Sequence, residues 1–219
     1  MRRPTMTRLL LLLSLVLGGW FLISHGNVAK GQIVPMPEKI APGSQVATFA
    51  GGCFWAMQAE FSQLKGIERI EAGYAGGHTA SPTYEQVTTE TTGYAEAVQM
   101  TFDPKVITYH DLLTIFLNAH NPTTKDRQGD DVGSSYRSAI FTRGAKQQEI
   151  AQQVVGEVGR AHVWAEPIVT EVVPYTNFAR AEDYHQNYFA QNPTNPYCQF
   201  TVAPEVARFQ KLNRARLKG

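Results

Sequence analysis

The sequence predicts an α+β fold, a two-layer sandwich of helices packed on a mixed β-sheet, and three observations carry that expectation. Segments with apolar residues at helical spacing alternate with short strand-like runs along the chain. Hydrophobic residues make up 43% of the 219, enough for a sizeable core. From Val46 onward no internal repeat or low-complexity tract divides the chain, so residues 45–219 read as one domain.

The elements follow in order. Arg2, Arg3 and Arg8 precede an uncharged run from Leu9 to Ile23, which ends in Ser24, His25 and Gly26. Residues 1–26 therefore read as an export signal, cleaved or retained as a membrane anchor. The run is broken by Gly18 and Gly19 and is shorter than the ~20 apolar residues a transmembrane helix needs, although Trp20 to Ile23 extend it. Such a signal implies an exported, periplasmic or otherwise extracytoplasmic domain. Residues 27–44, with three prolines and no apolar periodicity, read as a linker belonging to no core.

Val46 to Phe49 is the first strand expected in the domain. Gly51-Gly52 then turns the chain into a helix marked by Phe54, Met57, Phe61 and Leu64, with Cys53 in its first turn. Lys65-Gly66 ends that helix, and Ile67 to Ala75 follows as a strand before the turn-rich stretch 76–82. Ala95 to Phe102 alternates, with Glu96, Val98, Met100 and Phe102 on the side expected to be buried. Thr108 caps a helix carrying Tyr109, Leu112, Leu113, Phe116 and Leu117 as its apolar stripe. An irregular segment from Asn121 to Ser135 precedes a strand at Tyr136 to Phe141, and Ile150, Val154 and Val158 mark another helix. Ile168 to Val173 is a further strand and Glu182 to Ala190 a short helix, after which an extended tail carries Cys198.

Global charge says little about partners. Lys and Arg number 20 against 19 Asp and Glu, so nothing points to nucleic acid or an anionic surface. The basic residues Arg208, Lys211, Arg214, Arg216 and Lys218 near the C-terminus read as a solvated helix face. No pair of His or Cys residues has metal-ligand spacing, and Gly73 to Gly77 lacks the pattern of a phosphate loop, so neither metal nor nucleotide cofactor is expected.

Cys53 and Cys198 are the only cysteines. By count they fit one structural disulfide of an exported protein. Their surroundings point instead to chemistry. A thiol at a helix N-terminus faces unpaired N–H groups and the positive end of the helix dipole, which favour the thiolate nucleophile. Trp55, off the helix's core-facing stripe, can form a small apolar cup beside that thiol, suited to a methyl or thioether group. Glu96, buried without a cationic partner, would be held neutral and could donate a proton near neutral pH.

Gly52-Cys53-Phe54-Trp55 resembles the signature of the A-type peptide methionine sulfoxide reductases. Further blocks agree in order: Gly73-Tyr74-Ala75-Gly76-Gly77, Pro82-Thr83-Tyr84-Glu85, Gly93-Tyr94-Ala95-Glu96 leading to Phe102-Asp103-Pro104, and Arg127-Gln128-Gly129 through Asp131 and Gly133 to Tyr136-Arg137-Ser138. Ala181 to Gln186 and Asn192-Pro193 to Pro196-Tyr197-Cys198 complete the resemblance, which spans about Ala47 to Phe209. It is consistent with a ferredoxin-like core and a long irregular C-terminal tail. It implies thiol-dependent reduction of methionine-S-sulfoxide, free or in oxidised proteins. Cys53 would be the nucleophile, Glu96 the acid, Tyr84 and Tyr136 the hydroxyls that bind the sulfoxide oxygen, Phe54 and Trp55 the methyl pocket, and Asp131 a nearby carboxylate. Cys53 would become a sulfenic acid, resolved by Cys198 as a disulfide that a thioredoxin-like reductant reopens. The chain departs from the family pattern at Ala56, Tyr94, Asn121 and Asp130, none of them a matched catalytic position.

Two other readings use the same residues. A cysteine hydrolase would pair Cys53 with His78, His120 or His185, none of which lies in a hydrolase signature. An exported peptide-binding module stapled by one disulfide would have no free thiol.

Overall fold

The computed structural model describes residues 32–33 and 40–219, and the export or anchor segment 1–26 lies outside the described residues. Most of the linker also lies outside them, but within it Gln32–Ile33 (β1) pair antiparallel with Ala179 and Arg180. The domain proper starts with β2 (Gln45–Gly51), α1 (Phe54–Phe61) and β3 (Ile67–Ala75), followed by a single helical turn, α2 (Tyr84–Val87), and β4 (Ala95–Phe102). Next come α3 (Tyr109–Ala119), the small hairpin β5 (Arg127–Gln128) and β6 (Asp131–Val132), and β7 (Ser138–Thr142). The chain closes with α4 (Ala145–Arg160), β8 (Glu171–Pro174), β9 (Phe178–Arg180), the one-turn α5 (Tyr188–Gln191) and α6 (Ala203–Asn213). Among the described residues no helix is long and apolar enough to cross a membrane.

The main sheet runs β1-β9-β3-β4-β2-β7-β8. Within it β2-α1-β3-β4-α3-β7 is a βαββαβ unit of strand order β3-β4-β2-β7, antiparallel throughout, which is the expected ferredoxin-like core. After α4 the chain returns as β8 parallel to β7, which makes the sheet mixed. Helices α1, α3 and α4 lie on one face, where Phe49, Phe61, Met100, Leu113, Phe116 and Val154 belong to one apolar cluster. Phe49 and Phe116 stack at 4.9 Å between ring centroids. Thr108 caps α3 as expected, in a reciprocal pair of bonds with Asp111.

Alternation along β4 places Glu96, Val98, Met100 and Phe102 toward the helices, yet all eight residues of the strand are buried. The opposite face is also covered, because Ala50, Ala75, Ala95, Ala97 and Ala139 are small enough to leave room for Phe141 and Phe178. Three local expectations change. Tyr136 does not start a strand; it ends a 3₁₀ turn, Ser134–Tyr136, entered through Gly133 at φ +149°. The helix expected over 182–190 divides into a turn at Asp183–His185 and α5, separated by Asn187 in the left-handed region, whose N–H donates to Gln58 Oε1 at 2.7 Å. Cys198, expected in an extended tail, opens a π turn (Cys198–Val202) that runs directly into α6. Pro204 lies at the junction of the π turn and α6, within the first two positions of the helix, and Val202, Val206 and Phe209 bury one face of this segment.

Where β2 meets α1, the backbone has little freedom. Gly52 adopts φ +96°, and a Cβ there would come within 2.5 Å of Gln128 Cγ. Gly52→Ala is therefore expected to push away the loop carrying Gln128 and to lower stability by about 1–3 kcal/mol, read as a fall in Tm. An unchanged Tm would mean that this turn is looser than its geometry indicates.

Candidate active site

Cys53 is the N-cap of α1, with extended backbone angles and a carbonyl that accepts the N–H groups of Ala56 and Met57. A helix start leaves N–H groups without partners inside the helix. Here the N–H of Phe54 donates to Glu96 Oε2 at 3.0 Å. This bond reaches from the helix to the middle of the sheet, and it brings the acid predicted from β4 to the turn that holds the thiol.

Glu96 is 2% exposed. Burial raises its pKa to about 8, the Phe54 N–H pulls against that, and the charges of Asp131 and Glu90 add to the rise. At neutral pH the group is a carboxylic acid, in agreement with the sequence expectation. For Cys53 that expectation needs correction. The thiol is pushed well up, first by burial and then by the Glu96 carboxylate, against the Trp55 N–H, the Tyr197 hydroxyl and the Ala56 N–H. The helix N-terminus acts in the anticipated direction but is outweighed, so in the resting site the sulfur keeps its proton.

Tyr84 and Tyr136 reach the same hollow from α2 and from the 3₁₀ turn. Both hydroxyls are shifted upward, by burial and then by the charge of Glu96, so they remain protonated donors. Tyr84 is anchored through its backbone N–H, which donates to Glu182 Oε1 at 3.0 Å, while the Tyr74 hydroxyl donates to the other oxygen at 2.9 Å.

The aromatic wall is closely packed. The Trp55 indole stacks on Tyr188 at 3.8 Å and 10°, and its Nε1–H donates to His185 Nδ1 at 3.0 Å. His185 is 1% exposed, and burial lowers its pKa to about 4, so it is a neutral acceptor behind the cup. His120 is held between the Phe116 carbonyl and Ser138 Oγ, each at 2.7 Å. Neither histidine lines the hollow, which leaves them without the contact a hydrolase base requires.

The hollow measures about 240 Å³ and is lined by Cys53, Phe54, Trp55, Tyr84, Glu96, Asp131 and Tyr136, together with Asn195 and Tyr197. A larger one of about 450 Å³, between Val155 and Ile168, contains neither thiol nor hydroxyl. Seven of the eight residues expected at the site are thus brought together. The eighth, Cys198, is not among the lining residues. It is fully covered, its N–H donates to Asn195 Oδ1 at 3.2 Å, and both cysteines are free thiols.

Tyr197 and Asn195 line the hollow without having been expected there. The Tyr197 hydroxyl donates to Asp131 Oδ2 at 2.5 Å and lines the hollow with Cys53, whose thiol it helps pull down, so the residue next to one cysteine acts on the other. A phenol immediately before the second cysteine was the signal available for it. Three of the four departures from the family pattern are accommodated locally: Ala56 packs on Val202 and Val206, Tyr94 donates to the Thr79 carbonyl at 3.0 Å, and Asn121 Oδ1 accepts from Thr123.

Comparison with known proteins agrees with this arrangement. The sequence profile described as peptide methionine sulfoxide reductase matches residues 45–217. The peptide methionine sulfoxide reductase MsrA of Thermus thermophilus is 46% identical over 183 residues, covering 84% of this chain and 99% of its own. That of Chromobacterium violaceum is 47% identical over 165 residues, covering 75% and 94%. Among solved structures, methionine sulfoxide reductase A of Corynebacterium diphtheriae superposes with a TM-score of 0.69 at 32% identity, covering 82% of this chain and 94% of its own. The reduced form of Mxr1 from Saccharomyces cerevisiae gives 0.67 at 30% identity, covering 74% and 93%.

Proposed function

The chain belongs to the peptide methionine sulfoxide reductase family and is an oxidoreductase that reduces methionine sulfoxide, and from this premise we propose how its own residues divide the work. One observation carries the proposal: a thiol and a neutral carboxylic acid meet at the start of α1, in a hollow into which two protonated phenols also project.

A sulfoxide oxygen leaves poorly until it is protonated and hydrogen-bonded. Tyr84 and Tyr136 are the donors that hold it, and Phe54 with Trp55 takes the methyl group. As Glu96 delivers its proton to the oxygen, the Cys53 sulfur attacks the sulfoxide sulfur, and the proton leaving the thiol restores the acid. The hydroxyl then passes to Cys53 and the thioether departs as methionine. The Cys53 sulfur is oxidised by two electrons and the sulfoxide sulfur is reduced by two.

Cys198 next attacks the sulfenic acid, which forms a disulfide and releases water. Because Cys198 is covered and lies outside the hollow, this step requires the 192–198 segment to move and the Tyr197 bond to Asp131 to break. A dithiol reductant of the thioredoxin kind restores both thiols by exchange. The preferred substrate is the S epimer, free or within oxidised proteins. The uncharged run from Leu9 to Ile23 after Arg2, Arg3 and Arg8 supports reading residues 1–26 as an export signal, cleaved or kept as an anchor, and on that reading the reductant is an extracytoplasmic one.

The pH dependence of the first turnover tests the proton transfer. Glu96 carries its proton below about 8 and loses it above. Single-turnover sulfenic acid formation is therefore expected to be level through neutral pH and to fall as pH rises through that value, followed by stopped-flow fluorescence. A rate that climbs through the same range would mean that Cys53 must ionise beforehand and that Glu96 is not the proton source.

A further inference from the structure

We propose that Glu90 is a positioning residue that clasps the turn carrying Tyr136 and so sets one sulfoxide-binding hydroxyl against the other. The inference rests on the roles given above to Tyr84 and Tyr136.

Tyr136 ends a three-residue 3₁₀ turn entered through Gly133, and no side chain of its own segment caps that turn. So short a turn has little stability of its own. Glu90 supplies what is missing. Its Oε2 accepts the Ser134 hydroxyl at 2.7 Å and the Ser135 N–H at 2.8 Å, while its Oε1 accepts the Ser135 hydroxyl at 2.6 Å. Ser135 is fully buried, so these bonds fix the turn from beneath. Carboxylate and turn are in direct apposition: a Cβ at Gly133 would come within 2.4 Å of Glu90 Oε1.

Glu90 follows α2, whose first residue is Tyr84, by three residues. A second tie joins the same two segments, since Arg137, next to Tyr136, donates to the Gly93 carbonyl at 3.0 Å. The loop that follows the helix of one tyrosine thus grips the turn of the other on both sides. Glu90 does this from a backbone at φ +63°, a conformation that disfavours any residue with a side chain. Glycine would sit there without strain but could not make the clasp. Although Glu90 is exposed, no ion pair involves it among the described residues, and its three bonds all go to this turn.

Glu90 also contributes charge that helps keep Glu96 protonated, which is a second route by which it could influence the reaction. A double-mutant cycle separates the two. In the full-length protein, Glu90→Gly, Glu90→Gln, Tyr136→Phe and the Glu90→Gly/Tyr136→Phe double variant are compared by melting temperature, single-turnover rate with methionine-S-sulfoxide and the pH at which that rate falls. Because glycine relieves the backbone, Glu90→Gly is expected to stay folded yet lose roughly tenfold to a hundredfold in rate, the scale of a catalytic group displaced by about an ångström. Glu90→Gln, which keeps acceptor oxygen without charge, is expected to recover part of the loss. In the Tyr136→Phe background Glu90→Gly is expected to cost nothing further. A wild-type rate in Glu90→Gly overturns the proposal. So do losses that multiply in the double variant, or a loss explained by an earlier alkaline fall, which would put the effect on Glu96. An unimpaired Tyr136→Phe would overturn the underlying role of Tyr136, a failure distinguishable from the others.

Discussion

Glu96→Gln is expected to slow sulfenic acid formation by about a hundredfold to ten-thousandfold, the range associated with removing a general acid. The substitution is close to isosteric, and the amide oxygen can still accept the Phe54 N–H that Glu96 Oε2 now accepts at 3.0 Å. Loss of rate would therefore report on the proton and not on a collapsed helix start. The Glu96 carboxylate is the second cause of the raised Cys53 thiol, but that charge exists only above about pH 8, so the substitution eases ionisation of the sulfur only on the alkaline side. At neutral pH, where the acid is uncharged, a large fall in rate identifies proton delivery to the sulfoxide oxygen as the step that limits the variant. The alkaline fall centred near 8 should vanish with the carboxyl that causes it. Stopped-flow single-turnover traces from acid to alkaline pH check both outcomes, and a rate within a few-fold of wild type at neutral pH would remove Glu96 from the chemistry.

Cys198→Ser is expected to leave the first turnover intact and to abolish recycling through a dithiol reductant. Nothing in the first step touches Cys198, because it is fully covered and does not line the hollow. Serine preserves its shape and the backbone bond to Asn195. Without a second thiol the sulfenic acid has no intramolecular partner, so it should accumulate and be trapped by a carbon nucleophile such as dimedone. Steady-state methionine production coupled to a thioredoxin-like reductant provides the second readout. If the variant recycled at the wild-type rate, the external thiol would be attacking Cys53 directly and the resolving role would belong elsewhere.

What could be read from the sequence was what is local. Gly52, Cys53, Phe54 and Trp55 are adjacent in the chain, so a strand, a glycine turn and a helical stripe suffice to place them. Glu96 was legible because alternation assigns its face from its neighbours Val98, Met100 and Phe102, and that face is turned to the helices. The charge state of Cys53 was not legible. It depends on burial and on a carboxyl 43 positions away, and together these outweigh the helix N-terminus. The C-terminal helix face was legible from its basic residues, but its start was not, because nothing in the local pattern shows that Cys198–Val202 already turns and leads into α6. Asn187 similarly interrupts the apolar pattern of 182–190 by adopting a left-handed conformation that no periodicity reveals. Tyr197 and Glu90 lie in segments without apolar rhythm, and their partners Asp131, Ser134 and Ser135 come from a distant loop, so only the tertiary structure shows what they hold.

The most direct test of the account is to ask where the oxygen goes. Reduced Cys198→Ser protein would be mixed with one equivalent of methionine-S-sulfoxide and followed by mass spectrometry of the protein and of the small-molecule product. A single added oxygen at Cys53, appearing in step with an equal amount of methionine, is the predicted result. Methionine released while Cys53 stays unmodified, or an oxygen at Cys53 while the sulfoxide is still intact, would contradict it.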